Sequence, residues 1–247
     1  MRNEPASDAD EGQEGRQPIF LLPAGVTLLA GLIIAVHLGM TFVLDDAGRQ
    51  AFTIWFAFIP SRTYYLDAGG WMPHLWTPFT HAFLHAGFDH LLINMAWLVI
   101  FATPVARRYG TFRTTLLFLL SSAVGAAAFA LTSINSPDAP QILVGASGGV
   151  AGLTGAAVRF MFQPVIFGED RETGERIALG RHIATIPQLF TEGRVRNFIL
   201  IWVVLNAAVP LLPALTGGNA VLVAWQAHLG GFLAGLLLVG LFERRGH

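Results

Sequence analysis

The 247 residues include no cysteine. Disulfides and thiolate ligands are therefore excluded, and the redox compartment is not legible from the chain. Lysine is missing too, so all fifteen basic residues are arginines. Charge of either sign is scarce, at 13% of residues, against about 25% in soluble domains. The formal net charge of -1 speaks against a nucleic-acid partner. Nor does a basic stretch open the chain. Residues 1–18 are polar and acidic, with Glu4, Asp8, Asp10, Glu11 and Glu14. That composition predicts a disordered tail, not the n-region of a cleavable signal peptide, so the first span is expected to be an uncleaved anchor.

Apolar residues fill the rest. They make up 53% of the chain, and the mean hydropathy is +0.56. At about 20 residues per crossing, the pattern predicts spans at 19–44, 90–103 or a little beyond, 112–134, 142–162, 197–212 and 220–242. The expected class is an all-α polytopic membrane protein with six transmembrane helices. A membrane domain over 19–242 would lie between cytoplasmic tails at 1–18 and 243–247. The long first loop, 48–86, holds Trp55, Phe56, Phe58, Tyr64, Tyr65, Trp71 and Trp76, broken by Pro60, Pro73 and Pro78. Aromatics with few charges suit the headgroup level, so short interfacial helices are expected there. The loop 164–196 mixes both signs of charge and reads as a solvated surface loop. All arginines except Arg49 and Arg62 fall on one side of this arrangement. The positive-inside rule then places both termini in the cytoplasm of a cell (inner) membrane protein.

The chain is organised around the small-residue stretch from Gly145 to Gly155. On a helix, Ser147, Ala151 and Gly155 share a nearly bare face that another helix can approach closely. Two readings stand side by side: a packing seam whose serine bonds its own backbone, or a hydroxyl delivered to a partner. Other polar groups within spans decide between them, since such groups are costly in a bilayer and mark function by default. They are His90 and Asn94 on the second span, Asn206 on the fifth and His228 on the sixth. At ~1.5 Å rise per residue, Asn94, Ser147 and His228 lie roughly 8, 10 and 12 Å below the outer ends of their helices. Three spans thus bring polar groups to one level.

A serine hydroxyl needs an adjacent base, and His228 is the histidine of the late spans. Gly231 and Gly235 follow close to its face, so spans four and six can touch. No aspartate lies in the spans at that depth, which predicts a Ser-His dyad without an acid. His90 and Asn94 share a helical face and can aim donors at one point, as an oxyanion requires; His85 is a further candidate. His81 and His85, four apart, are too few for a metal site without carboxylate or thiolate, and no metal or cofactor is expected. His37, His74 and His182 read as structural or solvated, and Asn206 as an interhelical hydrogen bond. A transporter would also use midplane histidines, but it predicts discontinuous helices, repeats and charged pathway residues. A non-cleaving relative that only binds membrane segments is the third reading.

The Gly145-Ala146-Ser147-Gly148 stretch, the series His85, His90, Asn94, and Ala227-His228 followed by Gly231 and Gly235 together resemble the rhomboid intramembrane serine proteases. The resemblance extends from about Ile19 to Phe242 in a six-span form. It implies Ser147 as nucleophile and His228 as general base. It also implies an oxyanion hole from the Ser147 backbone N–H, His90 and Asn94, with His85 as a companion. The substrates it implies are single-span membrane proteins within the lipid bilayer, cut near the outer face. Two features depart from the family's pattern. A Trp-Arg pair of the first loop is missing, the nearest basic residue being Arg62. Where well-known members carry a tyrosine against the catalytic histidine, this chain has Ala151. Phe232, and after it Trp225, are the expected substitutes in supporting His228. Span five, short and ended by Pro210 and Pro213 with Gly217 and Gly218 beyond, is the expected moving wall for substrate entry.

Overall fold

A small-residue helix can be surrounded at close range, and α5 (Ser147–Met161) takes that central place: every residue from Gly148 to Phe160 is buried. The computed structural model describes residues 22–64, 70–133, 141–170, 173–208 and 224–243. The expected tail 1–18, Tyr65, the loop 135–140, Pro210, Pro213, Gly217, Gly218, the start of the sixth span at 220–223 and the end of the C-terminal tail, 244–247, lie outside the described residues.

The chain enters through α1 (Ala24–Phe42) and α2 (Asp46–Phe56), the latter capped by Asp45, whose carboxylate accepts from the Gly48 N–H at 2.8 Å. Short helical pieces follow at Pro60–Tyr64 and Met72–Leu75, then α3 (Thr77–Thr80) and His81–Phe83. The first loop is thus built of short helices, as its aromatic and proline content suggests. Arg62 folds inward and is fully buried, donating to the carbonyls of Ile54 and Ala57 at the end of α2.

Helix α4 runs over Phe88–Ser133, with one break. Gly110 sits at φ 79°, a conformation a side chain disfavours, and divides the run into arms 88–109 and 111–133. The second and third expected spans are these arms. After α5 come the strands β1 (Val165–Glu169) and β2 (Arg176–Arg181), paired antiparallel, then α6 (Ile186–Thr191), α7 (Gly193–Ala208) and α8 (Trp225–Leu238). The solvated loop expected at 164–196 therefore contains a hairpin and a helix, the hairpin being the one sheet among the described residues.

Among the described residues, three stretches are long and apolar enough to cross a membrane: Ala24–Phe42, Phe88–Ser133 and Trp225–Phe242. Helix α5 has 15 residues, short of the ~20 that a full crossing needs, and α7 is described over 16. Apolar side chains such as Leu28, Leu32, Leu92, Ile93, Leu200, Ile201, Val204 and Leu205 face outward, as a lipid-facing surface requires. At the arginine-rich end, Arg108 pairs with Glu243, Tyr109 donates to the same carboxylate at 2.8 Å, and Arg108 also reaches the Arg181 carbonyl at 2.8 Å. Burial would raise the Glu243 pKa, but the hydrogen bonds from Arg108 and Tyr109 outweigh it and hold the carboxyl below its usual range.

Three expected boundaries are corrected. The fourth span was expected to be helical from 142, yet the helix begins at Ser147. Leu143 instead pairs with Phe58 as a β-bridge, and Gly145 adopts φ 119°. The sixth helix begins at Trp225, so His228 lies within its first turn. The depths counted along helices from Pro140 and Ala220 consequently do not apply to Ser147 and His228. The fifth helix, by contrast, starts earlier than expected, at Gly193 rather than 197.

Candidate active site

The first loop holds the turn that presents Ser147. Phe58 and Leu143 exchange backbone hydrogen bonds of 3.1 and 2.8 Å, Gly145 N–H donates to the His81 carbonyl at 3.0 Å, and Ala146 N–H donates to His85 Nε2 at 3.4 Å. Burial, with His90 and His37 beside it, pushes the His85 pKa down to about 3. His85 is thus neutral and can present a lone pair to Ala146. A side chain at position 145 would collide with the His90 ring, its Cβ lying 2.7 Å from Cε1. Glycine is required there twice, for its φ and for its size.

Ser147 is the first residue of α5. The first back-bond of the helix comes from Val150 N–H to the Ala146 carbonyl, at 2.9 Å. The N–H groups of Ser147, Gly148 and Gly149 therefore have no acceptor within the helix, and the positive end of its dipole lies at the hydroxyl. The sequence reading placed Ser147 inside a span and did not foresee this. The half-buried His228 of α8 approaches from the other side, with Nε2 2.8 Å from Ser147 Oγ.

The approach is possible because α5 and α8 meet backbone to backbone. A Cβ on Gly231 would run into the Gly148 carbonyl, one on Gly235 into the Gly152 carbonyl, and one on Gly155 into the Phe232 carbonyl. The seam thus uses Gly148, Gly152 and Gly155, one step round from the expected face of Ser147, Ala151 and Gly155. Glycine admits a carbonyl where alanine would clash, which is why the glycines and not Ala151 take the seam. Ala151 is buried beside it with Phe232, Trp202 and Leu236.

His90 and Asn94 lie on the first arm of α4. Asn94 is buried, and its amide donates to the His90 carbonyl at 2.8 Å, which leaves one further N–H on that nitrogen. The His90 ring is half-buried, with its centroid 5.1 Å from that of His85. His37 is buried, packed edge-on against Phe88 at 4.8 Å. His81 Nδ1 lies 2.9 Å from the Thr77 carbonyl while His85 turns to Ala146, so these two rings serve different partners.

Asn206 holds the partner that sequence reasoning did not identify. Its Oδ1 lies 2.8 Å from His228 Nδ1, and its amide nitrogen donates to the Trp202 carbonyl at 2.8 Å. The interhelical hydrogen bond expected at Asn206 is therefore made to the candidate base itself, and the pair Ser147–His228 has a third member. Phe232 stacks on Trp202 of α7, with centroids 4.3 Å apart at 22°. It packs on the neighbouring helix; the ring against it is Trp202, not the imidazole. Trp225 is 39% exposed.

The Rhomboid domain family model matches residues 72–170 and 176–245, more than half of the chain. RHOMBOID-like protein 1 of Arabidopsis thaliana is 29% identical over 168 residues, which are 68% of this chain and 34% of that protein. RHOMBOID-like protein 6, mitochondrial, of the same plant is 29% identical over 163 residues, 66% of this chain and 42% of its own length. The Rhomboid protease GlpG of Haemophilus influenzae is 23% identical over 163 residues, 66% of this chain and 67% of that protein. The chain therefore spans well under half the length of the plant relatives it matches. With the glycine seam, the Ser147 turn and the polar pair on α4 all inside the matched segments, the chain belongs to the rhomboid family.

Proposed function

We propose that this protein is an intramembrane serine endopeptidase that cleaves membrane-protein segments near the outer face of the bilayer. The observation that carries the reading is the 2.8 Å contact between Ser147 Oγ and His228 Nε2, held at a helix N-terminus in an apolar bundle. The name of the Haemophilus relative, a rhomboid protease, supports it.

In the proposed step, His228 Nε2 removes the Ser147 proton as Oγ attacks the scissile carbonyl carbon. The carbonyl π-bond breaks and its electrons become the oxyanion. The Ser147 N–H, a His90 ring N–H and the second Asn94 N–H stabilise that charge. His228 then passes its proton to the leaving amine, the C–N bond breaks, and an acyl-serine remains. Water, deprotonated by the same histidine, hydrolyses the ester and restores both groups.

The arginine-rich end of the bundle faces the cytoplasm in this reading, with both termini there and the site opening outward. Segment 19–242 is the six-span membrane domain between tails at 1–18 and 243–247. Single-span membrane proteins are the proposed substrates, admitted past α7. The test is incubation of the purified full chain, reconstituted in lipid, with a panel of single-span proteins, alongside labelling by a serine-directed phosphonate. Cleavage and labelling in the wild type, both lost in Ser147→Ala, are expected. A wild type that neither cuts nor labels would overturn the reading.

A further inference from the structure

We propose that Asn206 is a positioning residue that fixes the tautomer and the direction of His228, so that the imidazole lone pair rests on Ser147 Oγ. The inference builds on the serine-protease reading of this site.

The Trp202 carbonyl can only accept, so the Asn206 atom facing it at 2.8 Å is the NH2 group. That fixes the other end of the amide as oxygen. An amide oxygen also only accepts, so the His228 nitrogen facing it at 2.8 Å must be Nδ1–H. In neutral imidazole, one protonated nitrogen leaves the other as a lone pair. Nε2 is therefore an acceptor, and the proton between it and Ser147 Oγ, 2.8 Å away, belongs to the hydroxyl. A backbone carbonyl of α7 thus determines, through two side chains, which way the serine proton points.

The surroundings of His228 leave this task to Asn206. Among the described residues, the hydrogen bonds of its ring go to Ser147, the group it must act on, and to Asn206. Phe232, one turn along, is engaged with Trp202. An imidazole turned about its Cβ–Cγ bond would bring Nδ1 or carbon toward the serine and would lose the near-attack geometry.

Three measurements test this. The first is 15N NMR of histidine-labelled wild type in lipid, with His228 identified by difference against His228→Gln. The Nδ1–H tautomer is expected, and an Nε2–H tautomer would overturn the proposal. The second is steady-state cleavage by Asn206→Leu, which keeps the bulk and removes the acceptor. Its kcat should fall by at least about tenfold, a fraction of what a general base contributes, with KM little changed. A kcat within about twofold of wild type would overturn the assignment. The third is Asn206→Asp, which keeps an oxygen acceptor for Nδ1–H but loses the donor to the Trp202 carbonyl, and should recover part of the loss. A loss equal to that of Asn206→Leu would mean that residue 206 only packs α7 against α8. If the wild type is inactive, the serine-protease reading fails on its own, and the tautomer measurement still decides the hydrogen bond. If the wild type cleaves and Asn206→Leu matches it, only the positioning role fails.

Discussion

His228 stands between two unlike contacts. On the α5 side, the glycine seam brings main chain against main chain: Gly231 on the Gly148 carbonyl, Gly235 on the Gly152 carbonyl. On the α7 side the helices are joined by side chains, Trp202 stacked on Phe232 and Asn206 bonded to His228. Residues 202 and 206 on α7, and 232 and 228 on α8, are each four apart and so form two rungs on facing helix surfaces. The outward face of α7 carries exposed Leu200, Ile201, Val204 and Leu205. The seam leaves no gap that could widen without parting backbones, whereas the rungs can part by rotamer changes. The serine–histidine distance is thus set on the rigid side, and the proposed substrate access and ring alignment would depend on the adjustable one.

The largest losses are expected at Ser147 and His228, where the two contacts meet. Ser147→Ala and His228→Ala should each abolish cleavage while leaving thermal unfolding close to wild type, because the two groups act as one unit. Near-full activity in Ser147→Ala would remove the nucleophile. On the rigid side, Gly235→Ala should cost fold before rate. Overpacking of a fitted contact typically costs about 1–3 kcal/mol, and here the colliding atom is a backbone carbonyl. A lowered unfolding temperature in detergent is expected, and an unchanged one would mean that α5 and α8 can separate. Asn94→Ala, away from both contacts, should lower kcat by up to ~10²–10³ with less effect on KM. An unchanged kcat would make Asn94 a packing residue bonded to its own helix.

Smaller effects belong to the adjustable side. The chain has no cysteine, so a pair introduced to join α7 to the first arm of α4 near the outer face supplies its only thiols. The cross-linked form should lose protein substrates yet still react with a small phosphonate. Full turnover of protein substrates would place the entrance elsewhere. Phe232→Ala should lower kcat least, by less than about tenfold, since it acts on the base only through Trp202 and α7. Ala151→Tyr should restore part of that loss if the space left beside Trp202 admits a ring.

Much of this site was legible in the sequence, for definable reasons. Ser147, His228, His90 and Asn94 stood out because polar groups in apolar spans are few. Gly231 and Gly235 marked a close helix contact because nothing else explains such bareness. The start of α5 was not legible. Residues 142–158 carry no charge, and hydropathy does not register that Leu143 pairs with Phe58, a contact between segments far apart in the chain. The hairpin at 165–181 was hidden among charges that resemble any solvated loop. Asn206 was visible as a polar residue, but its partner depends on how α7 is rotated against α8, which no local pattern encodes. The same rotation put Phe232 on Trp202 instead of on the imidazole.

The glycine seam also bears on how such a protein can change over generations. A glycine can only be replaced by something larger, and at positions 231 and 235 every replacement meets a carbonyl oxygen. That half of the histidine's environment is closed to gradual variation. Heritable differences in speed that leave the fold intact must then arise on the opposite flank, at residues such as 202, 206 and 232. In a saturation library sorted first for folded protein and then for turnover, tolerated variants of graded activity should gather on α7 and the facing side of α8, while the seam stays glycine.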